Sequence, residues 1–159
     1  MIRIVIALLL VACFTPGLVR GGDLQDFSDI LENKIKSSEA TWKLVSKHFE
    51  QEGNVLIIIW QNTPQEKEEY FAVIRATPSN AAAVKEIAQL IFGASAGVGA
   101  KIQGIGQEAY LAQLSRGARI QILFRQSNFV VTLMAPSEPK GRGLAKYIID
   151  SIATFQRRK

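Results

Sequence analysis

Two runs of β-branched and aromatic residues, Asn54–Gln61 (NVLIIIWQ) and Glu69–Ala76 (EYFAVIRA), constrain this fold more than any other part of the chain. Both are apolar at successive positions rather than at alternate ones. A strand with one wet face alternates; a strand without alternation is covered on both faces. The charged segment Thr63–Glu69 between them reads as a turn. The two runs therefore predict a hairpin, with Asn54–Gln61 as a central strand.

The flanking segments supply the covering layers. Leu24, Phe27, Leu31 and Ile35 recur at helical spacing, with Asp23, Asp26, Asp29 and Glu32 on neighbouring positions. This is an amphipathic helix with acids in its first turns, where the helix dipole favours them. Glu39–Glu52 is open between two readings: Trp42, Val45 and Phe49 fit a helix face, while Trp42 and Leu44 fit a strand. Gly53-Asn54 marks a turn. Thr77-Pro78-Ser79 opens a second helix, with Val84, Ile87 and Ile91 as its buried stripe and Gly93 as its stop.

Past the glycine-rich stretch Gly93–Gly106, Ala109–Gln113 is a short strand. Arg119–Arg125 alternates Ile120, Ile122 and Phe124 against Arg119, Gln121 and Arg125, and turns through Ser127-Asn128 into Phe129–Met134. Pro136–Gly143 reads as a loop. Leu144–Arg158 reads as a closing helix with Leu144, Tyr147, Ile148, Ile152 and Phe155 on one face. The order predicts an α+β fold, an antiparallel sheet built from hairpins with helices packed on it.

The segment Gly104-Ile-Gly-Gln-Glu-Ala-Tyr110, the hairpin Ile122–Met134 and the helix Leu144-Ala-Lys-Tyr-Ile-Ile149 occur here in that order. In this the chain resembles a class of uncharacterised exported bacterial domains whose fold is similar to the PsbP extrinsic subunit of photosystem II. Gln107 and Ser127 depart from the pattern, where many of those domains carry Asp and Gly. The resemblance implies a PsbP-like sheet-and-helix accessory domain and no reaction.

The first 22 residues read as an export signal. The apolar run Ile4–Val11 follows a single basic residue, Arg3. A spanning helix needs about 20 apolar residues, whereas signal cores run about 7–15. Two processing routes fit. Leu10-Val11-Ala12-Cys13 resembles the lipobox of bacterial lipoproteins, which makes Cys13 the lipid-attachment site and Phe14–Gly22 a tether. Ordinary signal cleavage after small residues is the other route. Residues 23–159 then form one α+β domain. Cys13 is the single cysteine of the 159 residues, so no internal disulfide supports the fold.

Charge is unevenly distributed. Asp23–Ala100 holds seven Lys/Arg against eleven Asp/Glu, and Lys101–Lys159 holds ten against three. Arg116, Arg119, Arg125, Arg142 and Lys146 are therefore candidate contacts to an anionic surface, provided they share a face. Export argues against nucleic acid and for an envelope protein, an anionic polymer or a lipid surface, with membrane contact through the anchor where Cys13 is modified.

Catalytic strings fail on context. Gly93-Ala-Ser95-Ala-Gly97 matches G-x-S-x-G, but it follows a helix, and the single histidine, His48, precedes it. Gly97-Val-Gly99-Ala-Lys101 and Gly104-Ile-Gly106 imitate phosphate and dinucleotide loops with the wrong flanking elements, and read as chance strings of a flexible loop. One histidine and one cysteine supply no zinc cluster, and the Asp23, Asp26 and Asp29 stripe points out along a helix and cannot wrap a calcium ion as a loop does. Glu68 and Glu69 are adjacent in a strand and face opposite ways. Glu108 sits where the resembling domains also carry an acid; it is a candidate ligand contact or an acceptor for the glycine-loop N–H groups.

No cofactor is implied. The expectation is a non-enzymatic exported accessory or binding domain. The alternative is a small-ligand carrier using the space between sheet and helices, rimmed by the glycine loop. A hydrolase on Ser95 is disfavoured. A cavity behind the helices would favour the carrier, and a continuous core the binding domain.

Overall fold

The computed structural model describes residues 21–62, 68–93, 99–114 and 119–158. In order these form α1 (Gly21–Ser38), β1 (Trp42–Glu50), a 3-10 turn (Gln51–Gly53), β2 (Val55–Asn62), β3 (Glu68–Ala76) and α2 (Asn80–Gly93). Then follow β4 (Ala100–Ile102), β5 (Glu108–Gln113), β6 (Ile120–Gln126), β7 (Phe129–Ala135) and α3 (Glu138–Gln156). The strands make one antiparallel sheet in the order β1-β2-β3-β7-β6-β5-β4. The α+β expectation holds, with β2–β3 and β6–β7 as the two hairpins read from the sequence.

Helices α1 and α3 pack on one face of the sheet, and α2 lies on the other over β6 and β7. The helical stripe Leu24, Phe27, Leu31 and Ile35 is buried as expected. It meets Leu56, Ile58 and Trp60 of β2, Ile74 of β3, Phe129 of β7 and Phe155 of α3 in one continuous core. Burial of this kind contributes about 1.5–3 kcal/mol per large side chain. The space between sheet and helices is filled with apolar side chains.

Strand β2 is second from the edge rather than central. Its Leu56, Ile58 and Trp60 are buried, but Ile57 and Ile59 are only half-buried, because α2 covers the other end of the sheet. In α2 the buried stripe is Ala83 and Ile87, with Leu90 and Ile91 beside them, while Val84 is 47% exposed. The small Ala83 lets the helix lie close over Val130. Ser79 caps α2, its Oγ accepting from the Ala82 N–H at 3.1 Å.

Glu39–Glu52 resolves as strand β1, with a bulge between Leu44 and Ser46. Helix α3 starts at Glu138, inside the segment read as a loop. Pro139 is tolerated in the first turn. Gly141 packs closely on the sheet: a Cβ there would lie 2.8 Å from Ile120 Cδ1, so that side chain would have to shift.

Trp42 stacks on Tyr70, ring centroids 4.0 Å apart. The Tyr70 hydroxyl donates to Glu68, which also accepts from Lys140 of α3. Burial, reinforced by the Glu68 carboxylate, pushes the Tyr70 phenol up to about 12. In the unfolded chain it ionises near ~10. The stability tied to the neutral phenol is thus full below pH ~10 and is lost as pH rises through the folded value. Tyr70→Phe will flatten the alkaline limb of a stability–pH profile. An unchanged limb would assign it to Tyr110 and Tyr147, also held above the ordinary range, by the Glu108 hydrogen bond and by burial respectively.

Candidate anion-binding cleft

Among the described residues, the candidate basic side chains Arg119, Arg125, Arg142 and Lys146 divide between the two sides of the sheet. Register places Arg125 opposite Val130 and Glu108, on the α2 side of the sheet, and Arg119 projects to the same side. Both are engaged. Arg119 lies 3.3 Å from Glu69. Arg125 donates to Gln107 Oε1 at 2.6 Å and faces Glu108 at 3.8 Å, with its side chain 14% exposed. Arg142 and Lys146 stand on α3, on the opposite side of the sheet. Arg116, Ser95 and Cys13 lie outside the described residues.

Among the described residues Glu108 accepts from no glycine-loop N–H group. It accepts the Tyr110 hydroxyl at 2.7 Å, because both side chains leave β5 on the same face. The acceptor at the loop is Gln107, which takes the Ser127 N–H at 3.0 Å. That contact steadies a two-residue turn in which Ser127 adopts φ 52, the conformation that makes glycine the usual choice. Glu68 and Glu69 diverge as expected, Glu68 toward Lys140 and Glu69 toward Arg119. His48 is exposed on the edge strand, 3.9 Å from Glu50. Asp29 and Glu32 face Lys47 of β1.

Among the described residues, Arg142 and Lys146 converge on a cleft of about 480 Å³ between α3 and the β4–β5 loop. Gly104, Ile105 and Gly106 form one wall, Arg142, Lys146 and Ile149 the other, with Gln126 at one end. The loop is built, not flexible string. Gly104 and Gly106 adopt φ 80 and 54, Ile105 between them is buried, and the Gln107 N–H donates to Arg125 O at 2.9 Å. The positive-φ pair was legible as G-I-G, but its role depends on a strand pairing that spacing does not show.

The chain matches no family model, no curated protein and no solved structure.

Charge in the cleft is organised from α3. Arg142 Nε donates to Glu138 Oε1 one turn earlier at 2.8 Å, and Nη1 donates to Gln103 O at 3.0 Å. The guanidinium is thus fixed against the loop. Lys146, one turn on, is exposed and has no ion pair among the described residues. Like charges four apart on a helix cost about 0.2–0.5 kcal/mol, which an anion between them relieves. Among the described residues no cluster of His, Cys, Asp or Glu could hold a metal, and no helix is long and apolar enough to cross a membrane.

Proposed function

We propose that this protein is a non-enzymatic binding domain of the cell envelope that holds an anionic polymer along α3. The observation that carries this is the cationic edge of that helix. Arg142, Lys146 and Arg157 recur along the outer surface of α3 and span about 22 Å at 1.5 Å per residue, and Asp150, which falls between them, is taken up by Lys34 of α1. Arg157 bonds backbone and a hydroxyl of its own helix and, among the described residues, no carboxylate. A line of charge of that length fits an extended polyanion. The filled core favours a surface binder over an internal carrier. The resemblance to PsbP-type accessory domains supports a role without chemistry, as does an exposed His48, ill placed as a general base. Envelope location rests on the apolar leader and on Cys13 as the proposed lipid anchor.

The test uses the protein extracted from membranes, whose intact mass will begin at Cys13 with acyl chains. Its binding to poly(glycerol phosphate) will weaken as salt rises, since salt screens exposed charge. Replacing Arg142, Lys146 and Arg157 together with Gln will remove that binding, and replacing Arg119 and Arg125 will not. Equal binding to a neutral polymer would overturn the reading. A mass beginning at Leu18 or Gly22 would overturn the anchor alone.

A further inference from the structure

We infer that the cleft between the Gly104–Gly106 loop and α3 is a site for a single phosphodiester group; this deepens, and rests on, the polyanion reading. The argument starts from charge. Lys146 and Arg142 bring two positive charges, and Glu138, bonded to Arg142, removes one. The site therefore balances one negative charge. A phosphate monoester carries about 1.5–2 at neutral pH, and its excess would face Glu138. A phosphodiester carries one.

Donor geometry separates the phosphodiester from a carboxylate, which also carries one charge. Arginine grips a planar carboxylate most strongly through two parallel N–H groups, a fork it also offers to phosphate, but a phosphate can equally be held by single donors from several directions. Here the Nε edge of Arg142 is held by Glu138, and Nη1 is engaged by Gln103 O. What is left to the cleft is a set of separate donors: the outer guanidinium N–H groups, the Lys146 ammonium and the Gln126 amide. Donors converging from several directions suit the tetrahedral oxygens of phosphate better than a planar pair. The glycine wall completes the fit. Even a Cβ added at Gly104 would come no nearer than 3.9 Å to Arg142 Nη1, so there is room for an oxygen beside the guanidinium. Ile105 and Ile149 line the same cleft with apolar surface, matching the carbon substituents that a diester carries on both sides.

Phosphodiesters occur in lipid headgroups and in polymer backbones, and the experiment distinguishes these sources. Amide NMR of the protein is followed while dimethyl phosphate is added at constant ionic strength. Saturable shifts at Gly104, Gly106, Gln126 and Lys146 are expected, with acetate producing none. Lys146→Gln will weaken the site about tenfold, as loss of one charge-assisted contact does. Arg119→Gln, on the opposite side of the sheet, will leave it unchanged. Displacement of dimethyl phosphate by poly(glycerol phosphate) assigns the polymer as source, and displacement by phosphatidylglycerol vesicles assigns the headgroup. Equal binding of acetate, or no saturable shift at these residues, would overturn the site. If polymer binding along α3 survives that result, the wider reading stands; if both are lost, both fall.

Discussion

Phe27→Ala will lower the stability of the fold by about 3–5 kcal/mol, the range for deleting a fully buried aromatic ring. Phe27 is where α1, β7 and α3 meet. Its ring centroid lies 5.5 Å from that of Phe129 and 6.0 Å from that of Phe155, which are themselves 6.1 Å apart. Neither partner can collapse into the space without undocking a helix from the sheet. Urea unfolding should show a lower midpoint at an unchanged slope. A loss below about 1 kcal/mol would mean that the first helix is held by its ends and not by this ring.

Gly106→Ala is expected to be nearly as damaging although it adds a single methyl group. Gly106 adopts φ 54, and a Cβ there would stand 2.5 Å from the backbone oxygen of Arg125. The left-handed conformation costs a non-glycine residue about 1–2 kcal/mol. The overlap adds about 1–3 kcal/mol, because a paired strand backbone cannot rotate aside as a side chain can. Together these imply about 2–5 kcal/mol, with the loop displaced from Arg142. The contrast is Gly143→Ala on α3, where a Cβ meets nothing within 4 Å. A Gly106→Ala protein as stable as its parent would show that the loop re-forms without its contact to β6.

Much of this architecture was legible because single elements obey one period. The α1 stripe and both hairpins follow from spacing alone. The misreadings occur where that period is broken by a neighbour. The bulge at Val45 shifts the parity of β1, so that Trp42 and Leu44 before it and Lys47 and Phe49 after it face the same side. Spacing of seven between Trp42 and Phe49 then imitates a helix. The start of α3 was hidden because Pro139, Gly141 and Gly143 are poor helix formers. Gly141 lies close against Ile120 and Ile122 across the interface, a contact no local pattern encodes. The site was legible in part. Alternation correctly placed Arg119 and Arg125 on one side of β6. It could not show that α3 crosses the opposite side of the sheet, nor that Glu69, Gln107 and Glu108 already occupy those two arginines.

The strand order has a kinetic consequence. Strands β1, β2 and β3 form one meander and β4, β5, β6 and β7 another, each built from sequence neighbours. The two are stitched into one sheet along β3 and β7, where Phe71 meets Met134 and Ala76 meets Phe129. Each meander closes short loops, whereas the stitch brings together segments from far apart in the chain. The entropy of that long closure is concentrated in one strand pair. The chain can therefore hold two half-sheets before it holds one, and β3 and β7 are the edges exposed in the interval.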